Sequence, residues 1–321
     1  MTRFALLLLV VVAGLGVFSP SDFYLSFASR ICIYGLYAMS LALLLGEAGL
    51  MSFGHTAFFG IAAYGVGWLS TAGGLDPWVA AAAALAIASA IGFAFGAFAV
   101  RVTDTAFVMI TLALGQVAWG LAYRWVSVTG GDNGLTGIAR PSIGPADLTR
   151  PLTFLVFCGL VLFVSVLAID RLRGSALGAS IRGVRDQPRR MSALGYNVWA
   201  IRLATFVCSG FFASVAGILD CWQQRFVSPV SLSLLDATLV LLMVVIGGAR
   251  SRFGPLVGTV VVMGFNEFAD HFVSRTQAAL GVVLILIVIF MPSGIAPWLQ
   301  GRMSSRRSAG APKLSEVGGA K

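Results

Sequence analysis

Between Phe4 and Ala296 the sequence is a succession of apolar runs bounded by glycine, proline or charge. They fall at about 4–18, 30–46, 49–70, 78–100, 105–126, 152–170, 201–222, 234–248, 254–272 and 277–296. Most approach the roughly 20 residues that a helix needs to cross about 30 Å of hydrocarbon. Inside that hydrocarbon every backbone N–H and C=O must be satisfied within its own segment. The fold class that follows is an all-α integral membrane protein, a polytopic bundle of about ten transmembrane helices. With 58% hydrophobic and 11% charged residues and a mean hydropathy of +0.91, the chain has little length left for a soluble domain. Residues 1–300 are therefore read as one membrane domain, and 301–321, small, polar and basic, as a disordered tail near the headgroups. Arg3 and the run 4–18 have the layout of a signal peptide, but Phe18-Ser19-Pro20-Ser21-Asp22 offers no small-x-small cleavage site, so a retained first helix is expected.

The net charge of +9 is carried by residues that lie between and after the apolar runs, as orientation signals do, and not as a nucleic-acid footprint. Ten spans with an internal N-terminus place sixteen Lys and Arg on the cytoplasmic side: Arg3, Arg101, seven from Arg171 to Arg202, Arg250, Arg252, Arg302, Arg306, Arg307, Lys313 and Lys321. The other side keeps six, namely Arg30, Arg124, Arg140, Arg150, Arg225 and Arg275. The positive-inside rule thus puts both termini and the 171–202 segment in the cytoplasm.

Several classes of chemistry are excluded. No G-x-x-x-x-G-K-[ST] occurs, and the only lysines, Lys313 and Lys321, are in the tail, so the chain has no phosphate-cradling loop. Catalytic constellations are missing: the spans hold no paired carboxylates, and His55 and His271 are the only histidines. Cys32, Cys158, Cys208 and Cys221 form no C-x-x-C pair and read as buried small hydrophobes, with neither a metal site nor a disulfide framework implied.

Polar groups inside apolar runs are the remaining candidates for a solute path, because burying them in lipid is costly. Ser52, His55 and Thr56 open the third run, and Ser52, Thr56 and Gly60 recur every four residues as one small stripe, suited to helix packing or to lining water. Asn266 and Glu267 lie along the ninth run and either line a pathway or reach outward beside Asp270 and His271. Glu47 and Asp220 lie near run ends, within reach of water. Gly92-x-x-x-Gly96 and Gly254-x-x-x-Gly258 are small-residue pairs expected to pack helices. The longest external loop, 127–151, carries Thr129-Gly130-Gly131-Asp132-Asn133-Gly134 and is either a connector or a shaped docking surface.

In the segment 171–202, Ser175 caps a helix to about Arg185, with Leu177, Ile181 and Val184 on one face and Arg182 and Arg185 on another. Asp186 or Gln187 before Pro188 starts a second short helix whose apolar contacts are Met191 and Leu194, with Gly195 as its stop. Two amphipathic helices along the membrane face suit either anionic lipid or a protein partner.

Four stretches carry a resemblance. Gly183-Val184-Arg185-Asp186-Gln187-Pro188-Arg189-Arg190-Met191-Ser192-Ala193-Leu194-Gly195-Tyr196-Asn197 resembles the coupling loop of the branched-chain amino acid type of ATP-binding-cassette importer permease. Gly49-Leu50-Met51-Ser52-Phe53-Gly54-His55-Thr56-Ala57-Phe58-Phe59-Gly60, the Thr129 to Ile138 loop, and Val245-Ile246-Gly247-Gly248-Ala249 leading to Phe253-Gly254-Pro255-Leu256-Val257-Gly258 resemble the same family in the same order, over about 30–296. The loop before the seventh run is similar to the M-type rather than the H-type permease. Many relatives have an acidic residue where this chain has Ser192, and small or apolar residues at Arg189 and Arg190.

The resemblance implies an importer subunit that carries no cofactor of its own and is not an enzyme. It implies a second homologous permease, two cytoplasmic ATPases that bind the ATP, an external substrate-binding protein and a bacterial inner membrane. Coupling to the ATPases would fall to Arg182, Arg185, Asp186, Ala193, Leu194 and Gly195. Branched-chain amino acids are the default solutes, with urea and short amides carried by similar permeases. The rival from another class is an ion-gradient-driven transporter or channel, for which Glu267 is the deep carboxylate available.

Overall fold

The computed structural model describes residues 21–143 and 146–269, together with 281, 282, 285, 289 and 294–298. Helix α1 spans Asp22–Ala42 and continues as a π-helical turn, Leu43–Ala48. It begins eight residues before the expected 30, because Arg30 points to the surface and does not interrupt the run, while extended Ser21 and first-turn Asp22 suit a helix start. The π turn stops at Gly49, whose φ of +70° is open to glycine.

The next helices are α2 (His55–Thr71), α3 (Pro77–Ala99), α4 (Asp104–Arg124), α5 (Val126–Thr129) and α6 (Pro151–Gly174). Then follow α7 (Ala176–Asp186), α8 (Pro188–Ala193), α9 (Val198–Gln224), α10 (Leu234–Gly247) and α11 (Gly254–Ala269). Four two-residue strands, β1 (Leu135–Thr136), β2 (Ser142–Ile143), β3 (Ala146–Asp147) and β4 (Phe226–Val227), decorate one end. Helix starts follow local chemistry: Asp76 accepts from Trp78 N at 2.9 Å ahead of Pro77, and Asn197 accepts from Ala200 N at 3.0 Å.

Among the described residues, five helices are long and apolar enough to cross a membrane: α1 with its π turn, α3, α4, α6 and α9. α2 and α10 are shorter, at 17 and 14 residues, and α11 is described over 16. The expected first span, 4–18, and most of the tenth, 277–296, lie outside the described residues.

α1 is the axis of the bundle, with Ile33, Leu36, Ala38, Met39 and Leu43 fully buried against α6, α9, α10 and α11. α2 packs between α3 and α9. The contacts His55–Ser209, Phe58–Ser214 and Phe59–Gly217 rise together, so α2 and α9 run parallel. Ser209 lies 11 residues beyond Val198, about 16 Å along α9. α2 therefore begins half-way through the bundle, and residues 49–54 climb to it without helical structure. Ser52 belongs to this unwound stretch, so the expected Ser52–Thr56–Gly60 helical stripe starts only at Thr56.

The two small-residue pairs work differently. Gly92 receives the Phe58 ring, which is also seated on Gly210, and Gly96 receives Phe206 and Leu203. These are sockets for side chains. At Gly254 and Gly258 the neighbours are backbone atoms of Gly247, Gly248 and Met243, a true backbone approach of α11 to α10. Outward, α3 and α4 present Val79, Ile87, Phe93, Met109, Val117 and Leu121 as an unpaired apolar surface, as lipid or another membrane helix requires.

Candidate coupling surface and pathway residues

α7 and α8 form a bent two-helix unit at the end of the bundle that also carries Glu47 and the end of α6. The Ser175 hydroxyl accepts from Gly178 N at 3.3 Å and donates to the Leu172 carbonyl at 2.7 Å, closing α6 and opening α7 in one residue. Ile181 and Val184 are buried, as their spacing requires, but Leu177, expected on the same face, is 40% exposed, and in the first turn it is Gly178 that is buried, against the end of α6. Pro188 occupies the first turn of α8, and Met191 folds back onto Gly183.

α8 ends in a Schellman motif: Tyr196 N donates to Met191 O at 3.1 Å and Gly195 N to Ser192 O at 3.0 Å, with Gly195 at φ +86°. Nothing in α8 is buried, and every residue from Ser192 to Asn197 is exposed. Leu194, expected as an inward contact, is 67% exposed because the Schellman turn swings it away from the bundle. A cleft of about 430 Å³ between the two short helices is lined by Gly183, Asp186, Gln187, Arg190, Met191 and Leu194.

Arg182 and Arg185, expected on a face other than that of Ile181 and Val184, reach toward the membrane helices. Arg182 Nη1 donates to Glu47 Oε2 at 3.1 Å and to the Arg173 carbonyl at 3.0 Å. Glu47 Oε1 also lies 3.3 Å from Arg173 Nε, and the Arg173 side chain is only 6% exposed. Arg185 Nη1 donates to the Gly46 carbonyl at 2.7 Å, its stem crosses Gly49, and its Nε holds Asp186 Oδ1 at 2.8 Å. The physical reason is that a helix end leaves carbonyls unpaired, and cations gather there. The hydrogen bond and charge of Arg185 hold the exposed Asp186 carboxyl below the usual carboxylate range.

The pathway candidates are placed differently. Ser52, His55 and Thr56 are 3%, 2% and 2% exposed and serve the interior of the bundle. Ser209 Oγ donates to the Ser40 carbonyl at 2.5 Å, so its lone pair accepts from His55 Nε2 at 2.6 Å. This joins α1, α2 and α9 and assigns the imidazole proton to Nε2. Ser52 Oγ accepts from Gly54 N at 3.2 Å, and Thr56 Oγ1 donates to Phe53 O at 3.3 Å, both bonds within the turn that opens α2. Gly54 sits against the Thr111 carbonyl of α4, and Gly60 against Leu232. Asn266 and Glu267 are half-buried on α11. Asp220, expected within reach of water, is 3% exposed, with Oδ2 accepting from Gln224 Nε2 at 2.7 Å.

At the opposite end, the 127–151 loop is fastened to the bundle. Thr129 Oγ1 bonds the Ala122 and Trp125 carbonyls at 2.6 and 2.8 Å and accepts from Gly131 N at 3.2 Å, while Gly130 turns with φ +73°. Gly134 lies against the Val227 backbone where β1 pairs antiparallel with β4. Arg140 Nε and Nη2 donate to the Trp222 and Gln223 carbonyls at 2.6 and 2.7 Å, closing the C-terminal end of α9, and its guanidinium lies 4.5 Å above the Phe154 ring. Trp78 Nε1 donates to the Ser142 carbonyl at 3.1 Å.

Neither Arg140 nor the Glu47–Arg173 pair was singled out from the sequence. Glu47 and Arg173 were legible as charges at the ends of apolar runs, where a partner is required; Arg140, in the middle of the 127–151 loop, gave no such signal.

Residues 23–291 match the family described as "Branched-chain amino acid transport system / permease component". The chain is 28% identical over 315 residues to the high-affinity branched-chain amino acid transport system permease protein LivM of Salmonella typhimurium, covering 91% of this chain and 74% of that protein. It is 28% identical over 327 residues to LivM of Escherichia coli K12, covering 95% and 77%. To LivH of Escherichia coli K12 it is 26% identical over 286 residues, covering 82% and 90%. No solved structure shows a significant match. With five helices fit to cross a membrane among its described residues and a match over residues 23–291, the chain belongs to the branched-chain amino acid transport system permease family.

Proposed function

We propose that this chain is one of two transmembrane permease subunits of an ATP-binding-cassette importer for branched-chain, hydrophobic amino acids. The observation that carries the reading is the α7–α8 unit: rigidly capped at Ser175 and Gly195, tied inward by arginines, and exposed throughout Ser192–Asn197. A chain without a phosphate loop that presents such a surface has a place for an ATPase to push. Similarity to both LivM and LivH supports a pair of homologous permeases.

In this reading residues 1–300 are the permease domain, with about ten spans, and 301–321 a basic tail; both termini and α7–α8 are cytoplasmic. Two ATPase subunits bind the ATP, and an external binding protein delivers the solute to the face built by Thr129, Gly130, Gly131, Gly134 and Arg140. Ala193, Leu194 and Gly195 form the part of α8 and its turn that enters the ATPase, while Arg182 and Arg185 hold that part in place. The pathway lies between two permeases, and Asn266 and Glu267 are the polar residues of α11 that remain candidates for it. ATP binding moves the spans only if the ATPase contacts differ between its two states.

The test is expression with the second permease, the ATPases and the binding protein, followed by purification and leucine uptake in proteoliposomes. Co-purification of the ATPase and ATP-dependent uptake are expected, and Ala193→Arg should abolish uptake without loss of membrane insertion. Gradient-driven uptake by this chain alone, or full uptake by Ala193→Arg, would refute the reading.

A further inference from the structure

The α7–α8 unit is covalently joined to α6 and α9, yet its shortest polar contacts lead elsewhere, to the π turn that ends α1. Glu47 receives two arginines at once, Arg173 from the last turn of α6 at 3.3 Å and Arg182 from the middle of α7 at 3.1 Å. Arg182 also holds the Arg173 carbonyl, and Arg185, nearly one turn further along α7, holds the carbonyl of Gly46, the residue before Glu47. Three side-chain contacts thus converge on two consecutive residues of the π turn that ends α1. Glu47 is 14% exposed at its side chain and Arg173 6%, so solvent screens the inner pair little. Arg173 Nε, Nη1 and Nη2 are buried without a hydrogen-bond partner among the described residues, so this guanidinium is balanced by charge, first by the Glu47 carboxylate 3.3 Å away and then by Asp170.

The backbone around the clamp has a particular form. Leu43–Ala48 is wound as a π turn, a form common at functional sites in helices. Gly49 follows at φ +70°, and residues 50–54 are unwound up to α2, which starts at mid-depth. Above the clamp α1 is the most deeply buried helix of the bundle, in contact with α6, α9, α10 and α11. A displacement of α7 delivered at Glu47 therefore reaches the axis of the bundle directly, without first passing through the length of α6 or α9.

Resting on the importer reading given above, we propose that Glu47 is the positioning residue that transmits movement of α7 to the π turn of α1, through its paired contacts with Arg182 and Arg173. Glu47 touches neither solute nor ATP. Its role is to make α7 and the end of α1 move as one body.

The experiment uses the whole transporter, with its ATPases and binding protein, in proteoliposomes, and measures ATP hydrolysed and leucine taken up in the same vesicles. Arg182→Ala removes the strut at a side chain that is 41% exposed, a site that does not endanger folding. Glu47→Gln keeps the shape and removes the charge. Each should raise the ATP consumed per leucine by about tenfold or more, the scale of losing a charge-assisted bond, while the ATPases still co-purify. The Glu47→Gln/Arg182→Ala double variant should be no worse than the more impaired single one, because both break one path. A ratio within about twofold of wild type for Arg182→Ala, on that same scale, overturns the proposal. So does loss of the ATPases from the Arg182→Ala complex, which would make Arg182 a docking contact. Absence of the ATPases from the wild-type complex is a separate result, and it sinks the importer reading itself.

Discussion

Arg140 fastens the outer loop to the end of α9, and its truncation should open that loop locally while leaving the membrane bundle folded. The side chain makes two short bonds, 2.6 and 2.7 Å, to the Trp222 and Gln223 carbonyls, and two long ones, 3.4 Å each, to Leu148 and Thr149. The short pair is charge-assisted, at about 1.5–3 kcal/mol each, and the long pair adds little. Stacking on Phe154 adds about 0.5–1 kcal/mol at this half-buried site. Against this stands up to about 2 kcal/mol of side-chain entropy regained on truncation, and water can replace part of the lost bonding at a helix end. The net loss for Arg140→Ala is about 2–3 kcal/mol, or about a 30- to 150-fold rise in the open population of the loop.

Hydrogen exchange reads this directly. Amides of 135–138, which depend on the β1–β4 pairing, should exchange faster by that factor, while those of Leu36–Ala42 inside α1 should not change. Arg140→Lys should resemble alanine more than wild type, because one ammonium cannot reach both carbonyls from the same fork. Under the importer reading, the concentration of loaded binding protein needed for half-maximal uptake rises and the maximal rate stays. Unchanged exchange at 135–138 in Arg140→Ala, or wild-type protection in Arg140→Lys, would refute the fastening role.

Leu194→Asp should insert and fold normally, since the side chain is already 67% exposed, and under the importer reading it should weaken ATPase binding by about 30-fold or more, the value of one buried leucine, as read by pull-down. Gly258→Val should cost more than about 3 kcal/mol and lower the thermal midpoint, because its Cβ meets the Met243 carbonyl and the Gly247 backbone, which cannot yield. Gly174→Ala, with open space around it, is the control and should be neutral or slightly stabilising, by about 0.5 kcal/mol. Ser209→Ala should cost about 1–3 kcal/mol by orphaning His55 Nε2, with leucine affinity unchanged; a changed affinity at unchanged stability would return His55 to the solute path.

The membrane class was readable because hydrocarbon imposes a uniform demand on every run it contains. So were both short helices before Val198, since Ser175, Pro188 and Gly195 act locally and their bonds close within a few residues. What apolar periodicity did not reveal was where a run stops being helix. Gly49 to Gly54 reads as the start of a span, yet only packing against Ser40, Thr111 and Ser209 decides that α2 begins at His55. Arginine direction was equally invisible: in 182–185 nothing local says whether a guanidinium serves a partner or the protein's own carbonyls, and the answer came from Gly46 and Glu47, over 130 residues away.

The two unpredicted contacts bracket one segment. Glu47 is tied to α7 on one side of 49–54, and His55 is tied to α9 and α1 on the other. These six residues have no helical ladder of their own, and Gly49 and Gly54 are among them. A shift of α7 at the clamp and a fixed position at His55 can coexist only if the backbone between them changes shape. Gly49 is crossed only by the flexible Arg185 stem, which belongs to α7 itself, whereas Gly54 abuts backbone of α4, the Thr111 carbonyl standing 2.9 Å from where its Cβ would be. Movement therefore concentrates at the Gly49 end, next to the π turn, and the start of α2 stays fixed in the bundle. His55, one of the residues that first suggested a solute path, is in this arrangement part of the fixed end against which a moving part works.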